Sequence, residues 1–475
     1  MIQDQRRGAF QTTLPFAAAK ALDFLRGLEQ TPVGATVDAG TLRARFARPL
    51  RDDGVDAEEV VAHLVDAVEG GLLGMPGGRF FAWVIGGALP SALAADWLTS
   101  AWGQNAAIYA CSPAAAVVEE VAGAWLKEIL ALPDDAAFAF TTGCQMAHAT
   151  CLAAARNSLL NARGWDVEKC GLFGAPPIRV ISSDRKHGSI DRALRLLGFG
   201  TDSVHTIAPD ANEMLDAGLL EAVLDEQRGE PLMVLLQAGD INTGAFDHFE
   251  RVIPLAKRYN AWVHVDGAFG LWASASERYR HLTRGIEQAD SWATDGHKWL
   301  NVPFDCGYAF VRDAHAHRAA MSIRAPYITA NEDVRDEIDW NPEWSRRARG
   351  FATYAALMEL GRNGVAALID RTCKYASDII AQLETLPGVE VLWRPIINQG
   401  LIRFRDAREN ATDADHDRRT EAVIERVAAS GEAFFAATTW RGKRAMRISV
   451  LNWQTSEADV RRTIAAFEAA IAPLG

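Results

Sequence analysis

The chain has 475 residues, of which 49% are hydrophobic and 23% charged, so it is long enough to bury a substantial core in two or three domains. This composition excludes a disordered or collagen-like protein. The formal net charge of −12 argues against a nucleic acid or an anionic membrane surface as the main partner.

The first ten residues lack the apolar stretch of a secretory signal, and no run reaches the ~18 apolar residues of a membrane-spanning helix. The six cysteines contain no C-x-x-C pair, which favours reduced, buried thiols over disulfides or a zinc site. We therefore expect a soluble, cytoplasmic protein without a metal site.

Residues 1–78 predict an N-terminal helical arm. Its clearest part, AEEVVAHLVDAVEGGLL at residues 57–73, repeats apolar residues at the three- and four-residue spacing of an amphipathic helix. Such an arm needs a surface to cover.

Residues 79–324 predict a large α/β domain. Five short apolar runs, each typical of a buried strand, alternate with helical stretches: FAFTT (138–142), IRVISS (178–183), MVLLQAG (233–239), WVHVDGAF (262–269) and CGYAFV (306–311). This alternation predicts a mainly parallel sheet covered on both faces. In such sheets the chemistry gathers at the carboxyl ends of the strands.

The acidic segment 325–344 breaks the periodicity and predicts a long, mobile surface loop. Residues 345–475 predict a small α+β domain, because strand-like runs at 389–393, 400–405 and 444–451 lie between helical stretches. Within it, the charged run at 405–419 predicts a solvated insertion.

The strongest chemical signal is Lys298 in SWATDGHKWL, because lysine is rarely placed in apolar surroundings unless it has a binding or catalytic role. Upstream, HVDGAFG puts Asp266 at the end of a buried strand, where an acid is costly unless it meets a cation. Pyridoxal phosphate (PLP) needs both groups, a lysine for a Schiff base and a carboxylate for its pyridinium nitrogen. The turn at Thr142–Gly143 leads into a helix whose N-terminus can bind the phosphate, and His187 follows another strand, where it could stack on the ring.

These residues resemble the group II amino-acid decarboxylases, PLP-dependent enzymes of fold type I that include aromatic-amino-acid, histidine and glutamate decarboxylases. The resemblance extends from about Phe80 to the end of the chain. The family signature around the lysine is met at eight positions: Ser291, Trp292, Lys298, Trp299, Leu300, Phe304, Cys306 and Arg312. It implies an α/β, transferase-like fold of type I, with a mainly parallel central sheet flanked by helices, an N-terminal helical arm and a small C-terminal domain.

The resemblance also implies the roles of individual residues. Lys298 would form the Schiff base, Asp266 would pair with the ring nitrogen, and His187 and Ala268 would lie above and below the ring; Lys298, His187 and Asp266 would be the catalytic residues. The remaining contacts with the cofactor would come from Gly143, Cys144, Gln145, Asn242, Thr243, Asp295 and His297. The chain departs from the family at Gln145 and Met146, where relatives carry Ser or Thr and then Glu, and at Asp295, where they carry Asn.

For the substrate, Arg447 lies where the family often binds a carboxylate, although an inter-strand ion pair is an equal alternative. Phe80, Phe81 and Trp83 resemble the aromatic stretch that lines the family's substrate pocket, although aromatic residues also cluster in cores. The substrate would therefore be an amino acid with an aromatic or large side chain.

The implied reaction is decarboxylation of an L-amino acid to the amine through an external aldimine and a quinonoid. In relatives a loop tyrosine assists protonation. In segment 325–344 the only tyrosine is Tyr327, near its start, and Glu337 falls near the expected position. Glu337 could donate the proton, or the reaction could differ and release an aldehyde.

Two alternatives remain open at this point. One is another PLP-dependent reaction, such as that of an aldehyde synthase, an aminotransferase or a carbon–carbon lyase. The other is a non-catalytic or metal-binding protein whose ligands are His264, Asp266, His187 and His297. The resemblance further implies a homodimer with the active site at the interface.

Overall fold

The computed structural model describes residues 8–323 and 334–472. The described part of the N-terminal arm, from residue 8, contains three helices, α1 (Phe10–Gly27), α2 (Ala39–Phe46) and α3 (Ala57–Val68). Asp56 begins α3 by accepting a hydrogen bond from the Glu58 N–H. Among the described residues no helix is long and apolar enough to cross a membrane.

A seven-stranded sheet forms the centre of the molecule. Its strands are β1 (Ala137–Thr141), β2 (Arg179–Ser183), β3 (Val204–Ile207), β4 (Leu232–Gln237), β5 (Trp262–Asp266), β6 (Ser291–Asp295) and β7 (Gly307–Val311). They lie in the order β1-β7-β6-β5-β4-β2-β3, and β7 alone runs antiparallel to its neighbours β1 and β6. The predicted, mainly parallel sheet is confirmed.

Helices flank this sheet. They are α4 (Pro90–Trp102), α5 (Pro113–Ile129), α6 (Cys144–Asn161), α7 (Val167–Cys170), α8 (Gly188–Leu196), α9 (Ala217–Glu226), α10 (Phe249–Lys257) and α11 (Ala314–Met321). Alternate residues of β4 enter different hydrophobic clusters, Val234 in one and Met233 and Leu235 in another. The sheet is therefore covered on both faces, which explains why its strands read as continuous apolar runs.

The C-terminal region is a four-stranded antiparallel sheet with helices. Its elements are α12 (Gly350–Leu383), β8 (Val389–Trp393), β9 (Gln399–Phe404), α13 (Asp413–Ala429), β10 (Ala436–Trp440), β11 (Lys443–Ser449) and α14 (Glu457–Ile471). The strand order is β10-β11-β9-β8. Helix α12 is interrupted at Gly361, whose positive φ of 58° breaks the helical path. The predicted small α+β domain matches this region.

Several details differ from the sequence-based expectations. Strands β3, β6 and β10 were not predicted, and the charged run 405–419 is not simply an insertion, because α13 begins within it behind a capping box of Thr412 and Asp415. The division at residues 78, 324 and 344 stays a prediction, although Phe81, assigned to the large domain, packs in the core of the C-terminal sheet.

The described part of segment 325–344 is not an exposed loop. A short 3₁₀ helix covers Glu337–Asp339, and Glu337 is buried. The Arg335 guanidinium makes this burial tolerable, because its Nε donates to Glu337 Oε1 at 2.7 Å. Tyr327 lies outside the described residues.

Candidate active site

A pocket of about 340 Å³ opens where several strands of the large sheet end. Gln237, Asp266 and Asp295 are the last residues of β4, β5 and β6, and all three line it. Ten of the predicted site residues lie in its wall: Trp83, Gly143, Cys144, Gln145, His187, Asp266, Ala268, Asp295, His297 and Lys298. The parallel sheet thus brings together residues that are far apart in sequence.

Lys298 is held in this pocket by an acid three residues before it. Its Nζ lies 3.1 Å from Asp295 Oδ2, and 18% of the lysine side chain is exposed. Burial lowers the pKa of the Lys298 ammonium, but nearby charges, above all that of Asp295, outweigh burial and raise the pKa above its usual value. As found, Lys298 is therefore a charged amine paired with Asp295.

Asp295 also occupies the N-terminus of α6. Its Oδ1 accepts the Cys144 N–H at 2.6 Å, and α6 has no side-chain cap of its own. A Cβ on Gly307 would lie 2.5 Å from the Gly143 carbonyl carbon, so glycine is required for β7 to approach this turn so closely. The result is a compact anion-binding corner, which Asp295 already fills with a carboxylate.

His297 completes that corner. Its Nε2 is 3.7 Å from Asp295 Oδ2, and its Nδ1 is 2.8 Å from the Cys306 carbonyl oxygen. Because a carbonyl only accepts, Nδ1 carries the proton in a neutral ring. Burial lowers the pKa of His297 despite the nearby Asp295 charge.

Asp266 is the second buried acid of the pocket. Its Oδ1 accepts the Ala268 N–H at 3.1 Å, and its Oδ2 lies 3.5 Å from His148 Nε2. His148 in turn meets His264, with 3.0 Å between Nδ1 of the first and Nε2 of the second. Burial lowers the pKa of each histidine to about 3, so both are neutral and Asp266 has no cationic partner on this side.

His187 supplies another wall of the pocket. It stands at the N-cap of α8, where its Nδ1 accepts the Ser189 N–H and lies 2.8 Å from the Ser189 hydroxyl. These contacts fix the imidazole orientation while its side chain stays exposed to the pocket.

Six predicted site residues are not brought to this wall. Phe80 and Phe81 are buried and stack on Phe434 and Phe435, with ring centroids 5.3 and 5.1 Å apart, which favours the packing alternative; their contact with a substrate stays a prediction. Asn242 accepts a hydrogen bond from the Thr438 hydroxyl.

Thr243 and Glu337 are likewise engaged elsewhere. The Thr243 hydroxyl donates to Asp240 Oδ1 at 2.8 Å, and Glu337 pairs with Arg335 and Asn341. This geometry does not support Glu337 as a proton donor in the pocket. The contact of Asn242 and Thr243 with the cofactor stays a prediction.

Arg447 is buried on β11 without an acidic partner. Its Nε has no hydrogen-bond acceptor, and no ion pair links it to a carboxylate of the described residues. Burial lowers the pKa of Arg447, and only the Asp240 charge offsets part of this effect. The inter-strand ion pair considered above is therefore not formed.

The sequence reasoning missed six residues of the wall, which are Val84, Ser189, Gln237, Gly239, Ile241 and Phe269. Gln237 and Gly239 follow the strand-end rule and could have been found from it. Val84 could not, because it depends on an unusual backbone: Trp83 and Val84 have positive φ values of 54° and 59°.

The groups of this pocket fit pyridoxal phosphate on three counts. Lys298 offers a largely buried amine, Asp266 offers a carboxylate that forms no ion pair with a lysine or arginine of the described residues, and the N-terminus of α6 offers an anion site. The departure is Asp295, which places a negative charge where the phosphate would bind. The residues can therefore hold the cofactor, with Asp295 as the unusual component.

Comparisons with known proteins agree with this geometry. A family model described as the pyridoxal-dependent decarboxylase conserved domain matches residues 51–406. An aromatic-L-amino-acid decarboxylase of Bacillus atrophaeus is 27% identical over 92% of this chain and 90% of its own. An L-2,4-diaminobutyrate decarboxylase of Rhizobium meliloti is 30% identical over 78% of this chain and 74% of its own.

Solved structures show the same fold. The Oryza sativa protein TDC, solved with PLP and tryptamine, superposes with a TM-score of 0.90 at 24% identity, covering 99% of each chain. The predicted α/β fold of type I is confirmed.

Proposed function

Since the chain belongs to the pyridoxal-dependent decarboxylase family, and is thus a PLP-dependent amino-acid decarboxylase, we propose that its substrate is an L-amino acid with an aromatic or other large side chain. The observation that carries this proposal is the apolar wall of the pocket. Trp83 is 47% exposed and lines the pocket together with Val84, Ile241 and Phe269. Such a wall suits a large apolar side chain.

In this proposal the cofactor is held by residues at or just after the ends of four strands, β1, β2, β5 and β6. Asp266 would pair with the ring nitrogen, His187 and Ala268 would contact the ring, and Lys298 would be the point of attachment. The phosphate would be bound at the N-terminus of α6 by Gly143, Cys144 and Gln145, together with His297, in competition with the Asp295 carboxylate that now accepts the Cys144 N–H.

When bound, the cofactor would accept the electron pair of the bond between the α-carbon and the departing carboxylate. Asp266 holds a proton at the ring nitrogen, because an anion favours the protonated form of a neighbouring base. Asp295 orients the Lys298 amine, and His187 covers the open side of the pocket and excludes water.

Arg447 lies outside the pocket wall but close to it: burial lowers the pKa of the wall residue His187, and the nearby Arg447 charge lowers this pKa further. In this proposal Arg447 binds the substrate carboxylate. A buried guanidinium without an acid is costly, and an incoming carboxylate would supply the missing partner through two parallel hydrogen bonds.

We further propose a cytoplasmic homodimer with the active site at the interface. Helix α1 buries none of its residues, and Phe10, Leu14, Leu22 and Phe24 remain exposed on it. A second copy would cover this apolar surface. Light scattering of the purified chain should give twice the monomer mass, and an active monomer would refute the proposal.

The substrate class is tested with a panel of amino acids. Purified chain with added cofactor is given L-tryptophan, L-tyrosine, L-phenylalanine, L-2,4-diaminobutyrate and L-glutamate, and carbon dioxide release is measured. We expect at least a tenfold higher kcat/KM for an aromatic amino acid than for 2,4-diaminobutyrate or glutamate, because the apolar wall would leave the side-chain charge of these two unpaired. A preference for 2,4-diaminobutyrate or glutamate would overturn the proposed class but not the reaction.

The role of Arg447 is tested on the preferred substrate. Arg447→Met keeps most of the side-chain volume and should raise KM at least tenfold, because it removes a charge-assisted pair. Arg444→Met is the matched control, since Arg444 lies on the same strand and pairs with Glu421. Equal KM values for the two variants would exclude Arg447 as the carboxylate ligand.

A further inference from the structure

We propose that His148 is a positioning residue for Asp266 and that a buried relay from Trp262 through Ser291 and His264 fixes the imidazole with one N–H directed at the Asp266 carboxylate. The inference rests on the proposed role of Asp266 as the partner of the cofactor's ring nitrogen. The sequence motifs assigned no role to His148, and the pocket wall does not contain it, because its side chain lies behind Asp266.

The hydrogen-bond chemistry gives the relay a direction. The indole Nε1–H of Trp262 can only donate, and its acceptor is Ser291 Oγ at 3.0 Å. The Ser291 hydroxyl proton is then free for His264 Nδ1, which lies 2.9 Å away. In this proposal the Ser291 hydroxyl donates to Nδ1, and the neutral His264 ring carries its proton on Nε2.

The same reasoning fixes the second ring. His264 Nε2–H donates to His148 Nδ1 at 3.0 Å, which leaves the proton of His148 on Nε2. This Nε2 lies 3.5 Å from Asp266 Oδ2 and 3.4 Å from Cys144 Sγ. Each tautomer is assigned from its partners. Hydrogen bonds lead from the indole to His148, and the final contact, from His148 Nε2 to the Asp266 carboxylate, is a longer electrostatic one.

To position Asp266 without cancelling its charge, His148 and His264 must both be neutral. A histidinium beside Asp266 would neutralise the carboxylate and weaken its hold on a protonated ring nitrogen. Burial instead lowers the pKa of His148 and His264 to about 3, and both side chains are fully buried. The relay thus orients Asp266 with an N–H dipole and leaves the negative charge available to the cofactor.

The relay also joins three elements under the pocket. Trp262 and His264 are two residues apart on β5, Ser291 begins β6, and His148 lies one turn after Cys144 on α6. Asp266 is therefore braced against the helix that carries the proposed phosphate site, which couples the two ends of the cofactor-binding pocket.

A metal site is the competing interpretation of the same atoms. Ligand atoms of Cys144, His148 and Asp266 lie within 4.8 Å of one another. The relay opposes it, because the His148 nitrogen that faces the other two carries a proton. Burial also raises the pKa of the Cys144 thiol well above its usual value, which disfavours the thiolate that a metal needs.

The first experiment needs no cofactor. ¹⁵N NMR of histidine-labelled, cofactor-free chain reports which ring nitrogen carries the proton. We expect Nε2–H for both His148 and His264, loss of this single state in Ser291→Ala, and its retention in Ser291→Thr, which keeps the hydroxyl. A proton on Nδ1 of either ring in the unaltered chain, or stoichiometric binding of added Zn²⁺ by this cluster, would overturn the proposal.

The second experiment measures the effect on the cofactor. His148→Phe keeps a planar ring without the N–H, and we expect about tenfold weaker binding of pyridoxal phosphate, because the N–H dipole 3.5 Å from the Asp266 carboxylate is lost. The absorbance maximum of the bound cofactor should shift as well. Thr150→Val is the matched control, because Thr150 is buried on α6 and bonds only the Met146 carbonyl oxygen.

Two results would contradict the relay here. One is cofactor affinity within twofold of the unaltered chain in His148→Phe, and the other is an equal loss in Thr150→Val. These results can be distinguished from a wrong substrate class. A wrong substrate class changes the outcome of the amino-acid panel but leaves the histidine tautomers and the cofactor affinity unchanged.

Discussion

At the scale of single residues, the least expected feature is the carboxylate of Asp295 in the proposed phosphate site. Its Oδ1 accepts the Cys144 N–H, and its Oδ2 pairs with Lys298 Nζ. One side chain therefore contacts both the proposed phosphate site and the proposed attachment lysine. Both contacts favour an anion, and an incoming phosphate must compete for the first of them. In the proposed binding mode Asp295 therefore opposes the phosphate, while its contacts join the N-terminus of α6 to Lys298.

Replacing Asp295 by Asn should strengthen cofactor binding. The amide oxygen can still accept the Cys144 N–H, whereas the repulsion of two neighbouring anions disappears. We expect at least a tenfold lower dissociation constant for pyridoxal phosphate, measured by fluorescence titration. A single charge a few ångströms away is worth more than the ~1.4 kcal/mol that this factor represents.

Glu277→Gln is the control for net charge, because Glu277 is exposed and its removal should leave the dissociation constant unchanged. Unaltered or weaker cofactor binding in Asp295→Asn would show that the carboxylate is a required ligand and not a competitor.

At the scale of elements, apolar runs predicted five strands of the large sheet, because buried parallel strands are apolar on both faces. Strand β6 was missed since SWATD mixes polar and apolar residues; Ser291 and Asp295 are instead satisfied by His264 and Lys298, which lie elsewhere in the sequence. Strand β3 was missed because it has no apolar run: His205 and Thr206, its two central residues, are exposed.

The site was likewise predicted only where the sequence itself carries the signal. The strand-end rule and the motif around Lys298 identified most of the pocket wall. Phe80 and Phe81 could not be separated from Trp83 by composition, because only the backbone turn at Trp83 directs one aromatic ring to the pocket and leaves two in the core. His148 was one helical turn from Cys144, a spacing that could have drawn attention to it.

At the scale of the whole molecule, buried neutral histidines link folding to pH. His317 on α11 is fully buried, with its Nε2 2.8 Å from the Trp340 carbonyl oxygen. Burial lowers its pKa to about 3, as it does for His148 and His264. Since an unfolded histidine titrates near 6.5, the unfolded chain gains protons first as the pH falls. These groups therefore stabilise the fold above about pH 6.5 and lose that contribution as the pH falls toward 3.

This linkage predicts the behaviour of His317→Gln. Glutamine can donate to the same carbonyl but does not titrate, so the variant should lose less stability between pH 7 and pH 5. The difference is about 2 kcal/mol in the free energy of unfolding, from ~1.4 kcal/mol per pH unit.

Thermal unfolding at the two pH values measures this difference. His315→Gln is the control, because His315 is exposed on the same helix. An equal decrease in the unaltered chain and in His317→Gln would show that His317 is not neutral in the folded chain.

The central claim is that Lys298 carries the cofactor for a decarboxylation that ends in an amine. The most direct test follows carbon dioxide, amine, aldehyde and ammonia together, with the preferred amino acid, in the unaltered chain and in Lys298→Ala. We predict carbon dioxide and amine in equal amounts from the unaltered chain and neither from the variant. Aldehyde with ammonia, or carbon dioxide release that survives in Lys298→Ala, would contradict the account.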